Sequence, residues 1–456
     1  MTPPPDFLTN DQKDALIATL LARLSEMDAR VAALEKENAA LREKLGGPPK
    51  TPDNSSLPPS LGRKASGEAS AKPKGKPHAG AHRPLHPNPT RKRDVTAARC
   101  SHCAADVSGV AQTAVHEYDR IEIPEIRPDV TRVTLYGGRC PCCSKRFKAA
   151  PPQGLEPGSP FGPNLKALAI YLRASHAVSF ERLSRLMSDL VGLEISEGAL
   201  VNILAGAQET FARQQGLIRD RLLAGNVLQS DETGCRVGKK SWWTWVFHHG
   251  KDCCFVASPS RGKDVVEAFL GGHRPDYWVS DRLAAQMGWA KKEHQICLAH
   301  LIRDAQYAID AGDERFAPGL ASLIGEACAV GRRRDQLTDA TLRSHEGRLD
   351  KKLNALLAIE PECAEGRKLR KSIKRFRQHM FVFVTKRNLP PTNNGSEQAI
   401  RPCVTFRKVT NCFRSEWGAT LYANIRSVLE TSRRRAVNPL VAIKLTLENR
   451  SLLEAA

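Results

Sequence analysis

Asn226-Val227-Leu228-Gln229-Ser230-Asp231-Glu232-Thr233-Gly234 is the stretch on which the reading of this chain turns. Before it, over residues 161 to 224, apolar side chains recur at three and four: Leu165, Leu168, Ala169 and Leu172, then Leu183, Leu186, Met187 and Leu190. That is the helical period. Two short helices around Gly192, the second opened by Ser196-Glu197, fit a helix-turn-helix and ordinary bundle packing equally well. At Asn226 the pattern switches to a strand, and an acid, Asp231, falls at its end.

Two further strands follow, 242–249 and 253–259, joined by Gly250-Lys251-Asp252, and then a helix over 264–270. Tyr277-Trp278-Val279-Ser280-Asp281 is a short apolar strand ending in a second Asp, and residues 293–297 make a fifth strand. The order is strand, strand, strand, helix, strand, helix, strand, helix, with acids closing the first and fourth strands. This ribonuclease-H-like order predicts an α/β core that sets Asp231 and Asp281 at adjacent strand ends.

A third acid belongs on the helix after the fifth strand. Residues 300 to 387, helical in period and rich in Arg and Lys, intervene and read as a helical insertion. Beyond Pro390-Pro391, the run Asn393-Asn394-Gly395-Ser396-Glu397-Gln398-Ala399-Ile400-Arg401 opens the returning helix with Glu397. Glu397 and Arg401 are four apart and share a helix face. A capped surface helix with an ion pair is the plainer alternative, as a helix cap is for either Asp alone. The set of three suits phosphodiester chemistry: two Mg²⁺ ions about 3.5–4 Å apart activate a water and stabilise a leaving oxygen, and hard cations need carboxylate oxygens. Mn²⁺ could replace Mg²⁺. Arg401, Arg407, Lys408 and Arg414 are candidates for DNA phosphate contacts on charge and position. Cys297 and His300, with His294 beside them, read as packed groups orienting the site rather than as zinc ligands; Asn393 and Asn394 read as structural.

The formal net charge of +20 and pI of about 9.6 favour a polyanionic partner, nucleic acid first. No run of about 18 apolar residues exists, and Met1-Thr2-Pro3-Pro4-Pro5-Asp6 lacks a signal pattern, so no membrane partner is expected and the chain is expected in the cytoplasm, at the nucleoid. The 13 cysteines are then free thiols or metal ligands, with Cys253-Cys254 and Cys328 filling core.

From Ile17 a heptad runs with Ile17, Leu24, Val31, Asn38 and Leu45 at a, and Leu20, Met27, Leu34 and Leu41 at d. Arg23–Asp28, Arg30–Glu35 and Glu37–Arg42 pair opposite charges across a parallel dimer, and Asn38 fixes two strands. A single amphipathic helix packed on its own domain is the alternative. Residues 47–99 then lose large apolar residues and read as a disordered basic linker. Within it, Lys72-Pro73-Lys74-Gly75-Lys76-Pro77 resembles a minor-groove hook, though a solvated charge run fits too. Cys100-x-x-Cys103 and Cys140-x-x-Cys143 flank a β-rich stretch, Val115 to Tyr136, and predict a four-thiolate structural Zn²⁺ site in a DNA-binding ribbon; Cys142 competes with Cys143 as ligand.

Asp231-Glu232-Thr233-Gly234, Ser280-Asp281, Asn393-Asn394 with Glu397 and Arg401, then Phe413-Arg414-Ser415 and Gly418-Ala419, resemble the DDE transposases of insertion sequence 66 type. Asn54-Ser55-Ser56 with Pro58-Pro59-Ser60 resembles that family's linker. The resemblance spans nearly the whole chain and implies a Mg²⁺-dependent DNA strand transferase with Asp231, Asp281 and Glu397 as its metal triad. It also implies element ends and target DNA as partners, and small accessory proteins. Arg282-Leu283-Ala284-Ala285 departs from the small and aromatic residues usual after the second Asp. A catalytically inactive DNA-binding protein, or a nuclease without joining activity, is the alternative. The expected plan is a coiled-coil helix (10–46), linker (47–99), zinc ribbon (100–150), helical DNA-binding or bridging region (160–225), first core part (226–299), insertion (300–388), last core part (389–430) and a C-terminal helical segment (431–456).

Overall fold

The computed structural model describes residues 10–44, 47–55, 57 and 83–454. Helix α1 (Asn10–Lys44) is a single rod. Its heptad residues Ile17, Leu20, Leu24, Met27, Val31, Leu34 and Leu41 stay 47% to 63% exposed. Leu45 lies outside the described residues, as do the Lys72–Pro77 run and Pro58-Pro59-Ser60 of the linker signature.

The first part of the linker differs from the expectation of disorder. Asn54 is buried, its Nδ2 donating to Pro49 O at 3.1 Å and to Asp310 Oδ2 at 2.8 Å, while its Oδ1 accepts from Thr51 N–H at 2.7 Å. A short side chain that satisfies one turn and one distant carboxylate fixes its segment without any apolar core. The β-rich reading of 115–136 is also corrected. Those residues carry no strand, and Ile121, Ile123 and Ile126 are exposed. Alternation alone cannot make a strand where no neighbour supplies the ladder. The pairings around it are β1 (Gly137–Arg139) with β2 (Arg146–Lys148) and an isolated bridge of Arg99 with Asp106.

A bundle of α2 (Pro163–Ser175), α3 (Phe180–Val191), α4 (Glu197–Ala205) and α5 (Gln208–Leu223) comes next. Ser179 and Ser196 cap α3 and α4 by accepting from the N–H groups of Arg182 and Ala199, and Gly192 ends α3 in the left-handed region at φ 66°. Leu183, Met187, Leu200 and Leu204 feed one core with α2 and the C-terminal helices, so bundle packing accounts for the pair around Gly192.

The five-stranded sheet holds β3 (Val227–Val237), β4 (Lys240–His249) and β5 (Asp252–Ser258) as an antiparallel meander. After α6 (Lys263–Leu270), β6 (Tyr277–Ser280) and β7 (Glu293–Ile296) add in parallel beside β3, giving the order β5-β4-β3-β6-β7. Both hairpin turns use two residues led by a glycine at positive φ, Gly238 at 58° and Gly250 at 54°, the geometry that matches strand twist. Where the sequence order calls for a helix between the last two strands, a single 3₁₀ turn, Ala284–Gln286, is found, because Gly288 at φ 85° turns the short connection back at once.

The insertion forms α7 (Leu298–Asp310), α8 (Phe316–Arg333), α9 (Asp339–Ala358), α10 (Ala364–Phe376) and α11 (Val382–Thr385). Alternate strand residues divide the two cores: Leu228 and Trp278 face the bundle side, whereas Val227, Val279 and Ile296 join the insertion's core. The chain returns through α12 (Asn394–Thr410), α13 (Glu416–Arg434) and α14 (Pro439–Leu447). Helix α13 runs unbroken through residue 430, where the sequence plan divides the core from a C-terminal segment. It covers the free edge of β5. Ser427 Oγ accepts from Phe255 N–H at 2.8 Å, and Thr431 Oγ1 accepts from Cys253 N–H and donates to Cys253 O, both at 3.1 Å. An edge strand otherwise left bare is thereby closed inside the chain. All 13 cysteines are unpaired, and Cys253 and Cys254 are core residues as expected.

Candidate active site

Strand β3 pairs with β6 only from Val227–Tyr277 to Gln229–Val279. Asp231 and Asp281 each lie two residues past the last pair. Asp231 is therefore in the middle of a long strand, not at its end; what ends there is the pairing with β6, and the parting chains leave a gap for side chains. Asp231 Oδ1 accepts from Glu232 N–H at 2.9 Å, and Asp281 Oδ1 from Leu283 N–H at 2.8 Å.

The third acid is brought in by a buried polar chain. The Asn393 side chain, with no exposed surface, donates from Nδ2 to Ser230 O at 2.7 Å, next to Asp231. Its Oδ1 accepts from Ser396 Oγ at 2.6 Å, and Ser396 Oγ meets His248 Nε2 at 2.9 Å. Arg434 Nη1 reaches His248 Nδ1 at 3.0 Å, and Arg434 Nε donates to Glu430 Oε1 at 2.9 Å. A guanidinium only donates, so His248 Nδ1 accepts and Nε2 carries the proton to Ser396. Gly395 packs on the same ring: a Cβ there would sit 2.9 Å from His248 Cε1. This arrangement pins the first turn of α12 to the sheet, and Glu397 is in that turn.

Burial pushes the Asp231 carboxyl well above its ordinary range, and the charges of Glu232, Asp281 and Glu397 push it further, against the Glu232 N–H. The charges of Asp281 and Glu397 are thus both felt at Asp231, although the three carboxylates do not gather within 4.8 Å of one another. Glu397 faces His300 Nε2 and Arg303 Nη1, each at 3.9 Å from Oε1, rather than Arg401. At that distance neither is a hydrogen bond, and Oε1 is buried without a partner. A carboxylate oxygen that makes no hydrogen bond, faced at 3.9 Å by an imidazole and a guanidinium, is a group a divalent cation can take up.

Arg282 turns away from the acids, to Asp304 and to Ser372 Oγ at 2.9 Å. Beside them opens a cleft of about 420 Å³, lined by Asp281, His300, Ser372, Arg375 and Phe376 among others. Of the expected phosphate contacts, Arg401, Lys408 and Arg414 are exposed. Arg407 is instead committed inward, to Gly234 O and to Thr233 Oγ1 at 3.1 Å, because the β3 backbone beyond β6 needs donors. Asn394 is exposed, so of the two asparagines only Asn393 has the structural place read from sequence.

Sequence reasoning missed Glu232, whose side chain is 3% exposed and is held by Arg261 Nη2 at 2.7 Å and Gln286 Nε2 at 2.5 Å. It also missed His248, Ser396, Glu430 and Arg434. A charged residue beside Asp231 on one strand was a visible signal; a lone His on a strand was not.

Among the described residues, Cys297, His300 and Glu397 are the only three such groups with ligand atoms within 4.8 Å of one another. The ribbon cysteines form two separate knuckles instead of one gathered set. In each, the first sulfur takes backbone N–H groups from two and three residues on, led by His102 at Cys100 and by Cys143 at Cys140, which holds both thiols below the ordinary range.

A family model described as Transposase IS66 family matches residues 158–421, more than half of the chain and all three acids. No curated protein matches the chain.

Proposed function

This chain belongs to the Transposase IS66 family, and from that premise we propose that it cuts and joins DNA with Asp231, Asp281 and Glu397 as its metal-binding triad on a ribonuclease-H-like core. The observation that best supports the reading is that the charges of Asp281 and of Glu397, the latter beyond the whole insertion, both act on the buried Asp231 carboxyl beside the opening between β3 and β6. Bound Mg²⁺ or Mn²⁺ would lower the pKa of a water and offset charge on the leaving oxygen.

The chain's own residues supply the rest. Asp231, Asp281 and Glu397 would hold the ions through their carboxylate oxygens, with Asp231 feeling the charge of both others. Water attacks the phosphodiester at the element end, and the 3′-oxygen leaves and is protonated. The freed 3′-hydroxyl then attacks a phosphodiester of target DNA, forming one bond as another breaks. Arg375 and Ser372 in the cleft, and exposed Arg401, Lys408 and Arg414, offer donors to DNA phosphates. Exposed Arg367, Lys368, Lys371 and Lys374 extend that basic face along α10.

The thiolate-stabilising knuckles support a structural zinc that draws Cys100, Cys103, Cys140 and Cys143 together on binding. The exposed stripe of α1 supports a parallel homodimer. Partners in this reading are element ends, target DNA and small accessory proteins, and the place of work is the nucleoid.

Labelled element ends incubated with the protein, Mg²⁺ and a target plasmid test the reading. Joined products support it. Cut ends alone would indicate a nuclease, and bound but uncut DNA a non-catalytic binding protein.

A further inference from the structure

We propose that Cys297, His300 and Glu397 form a second metal site, a thiolate-imidazole-carboxylate set for a soft divalent cation such as Zn²⁺, and that its occupant competes with Mg²⁺ for Glu397. The site stands on its own geometry; its effect on DNA cleavage rests on the triad reading above.

The three ligand atoms lie within 4.8 Å of one another, and the imidazole and carboxylate at 3.9 Å are near the ligand-to-ligand spacing around a tetrahedral ion. Glu397 Oε1 is buried without a hydrogen bond, with His300 Nε2 and Arg303 Nη1 each at 3.9 Å, and the His300 ring makes no hydrogen bond from its Nδ1 that would fix its tautomer. Cys297 stands at the N-cap of α7, and the N–H of Asn393 reaches its Sγ at 3.1 Å. Burial holds the thiol above its ordinary range against the N–H groups of Asn393, His300 and Ala299, so a cation here would have to displace its proton. The Cys297-Leu298-Ala299-His300 spacing places thiol and imidazole one helical turn apart on one side of α7.

Donor chemistry selects the ion. Mg²⁺ takes oxygen ligands and is poorly served by sulfur, whereas a Cys/His/Glu set suits zinc, with one coordination position left for water or a phosphate oxygen. His300 and Asp281 line the same cleft, so that position opens toward the acids. A Glu397 oxygen taken by zinc here is lost to the hard-metal pair, so the two ions compete for this side chain.

Cobalt reports such a site because thiolate-bound Co²⁺ absorbs by charge transfer. The full-length chain, with Cys100, Cys103, Cys140, Cys142 and Cys143 changed to Ser to silence the knuckles, is titrated with CoCl₂ without DNA. One equivalent per chain with thiolate absorption, displaced by ZnCl₂ and weakened at least tenfold by His300→Ala and by Glu397→Gln, supports the proposal. No thiolate absorption, or absorption unchanged by both substitutions, overturns it. Cys297→Ala should abolish the band, but if that buried change unfolds the chain the two half-exposed positions decide. Cleavage of labelled ends with Mg²⁺ is scored separately. Cobalt binding without cleavage keeps this site and counts against the triad reading, and cleavage without the band does the reverse.

Discussion

Asn393 shows how much one side chain can decide. Removing it by Asn393→Ala leaves Ser230 O and Ser396 without their partners inside the core, and should cost about 1–3 kcal/mol of stability, read by urea denaturation. It should also lower strand cleavage more than that loss of stability explains, because the first turn of α12 is no longer tied to β3. The triad itself should behave differently. Asp231→Asn removes a carboxylate that burial and its neighbours hold above its ordinary range. A folded state that holds this proton more tightly than the unfolded one loses stability as pH rises above the unfolded value near 3.8. Metal-free Asp231→Asn should therefore melt higher than the parent at pH 7, by about 2–4 °C for roughly 1 kcal/mol. Its cleavage with Mg²⁺ should fall by at least ~10³-fold, about 4 kcal/mol of barrier. A variant that melts lower and still cuts would sink the assignment. His248 carries the opposite sign. Burial first, and the Arg434 charge after it, keep its imidazole neutral. The unfolded state then binds more protons, and stability is lost as pH falls through the unfolded value near 6.5. His248→Gln should flatten that part of a melting-temperature profile between about pH 7 and 5. At this scale Asp231 and Asp281 stood out in the sequence beside short apolar strands, although Asp231 lies inside β3 and not at its end. The Asn393-Ser396-His248-Arg434 chain did not, since its members are spread across nearly the whole core and only the fold makes them neighbours.

Elements were legible where period was strong. The meander, the parallel pair and the insertion's helices fall where the residues place them. The helix between the fourth and fifth strands does not exist, because twelve residues with a turning glycine leave room for one 3₁₀ turn only. The strand pattern at 115–136 failed for want of a pairing neighbour. The role of α13 could not be read at all: Ser427 and Thr431 look like poor helix formers, and their use is to finish the hydrogen bonds of β5. Ser427→Ala should remove only the hydroxyl, strand the Phe255 N–H and cost about 1–3 kcal/mol in denaturant unfolding. On α10, Lys374→Ala with Arg375→Ala should weaken binding to DNA of any sequence. A fall of about 2 in the slope of log affinity against log salt would match two lost phosphate contacts; an unchanged slope would remove α10 from the DNA path.

The whole molecule is a rod, a pair of cysteine knuckles and a core around one mixed sheet, with two hydrophobic clusters meeting at β3 and β6. Its charge pointed to a polyanion from the first count, and its family agrees. Among the described residues no helix is long and apolar enough to cross a membrane. Leu24→Glu with Val31→Glu should leave core melting unchanged and halve the mass in solution, measured by light scattering. An unaltered mass would oppose the α1 dimer.

The third acid is set in place by residues that follow it. Arg434, which holds His248 and reaches the carbonyl of Gly395 at 3.3 Å, comes late in the chain. A chain cut short before residue 430 therefore keeps Asp231, Asp281 and Glu397 but loses the groups that hold the first turn of α12 against the sheet. Proximity along the polymer says nothing of that dependence; it comes from topology alone.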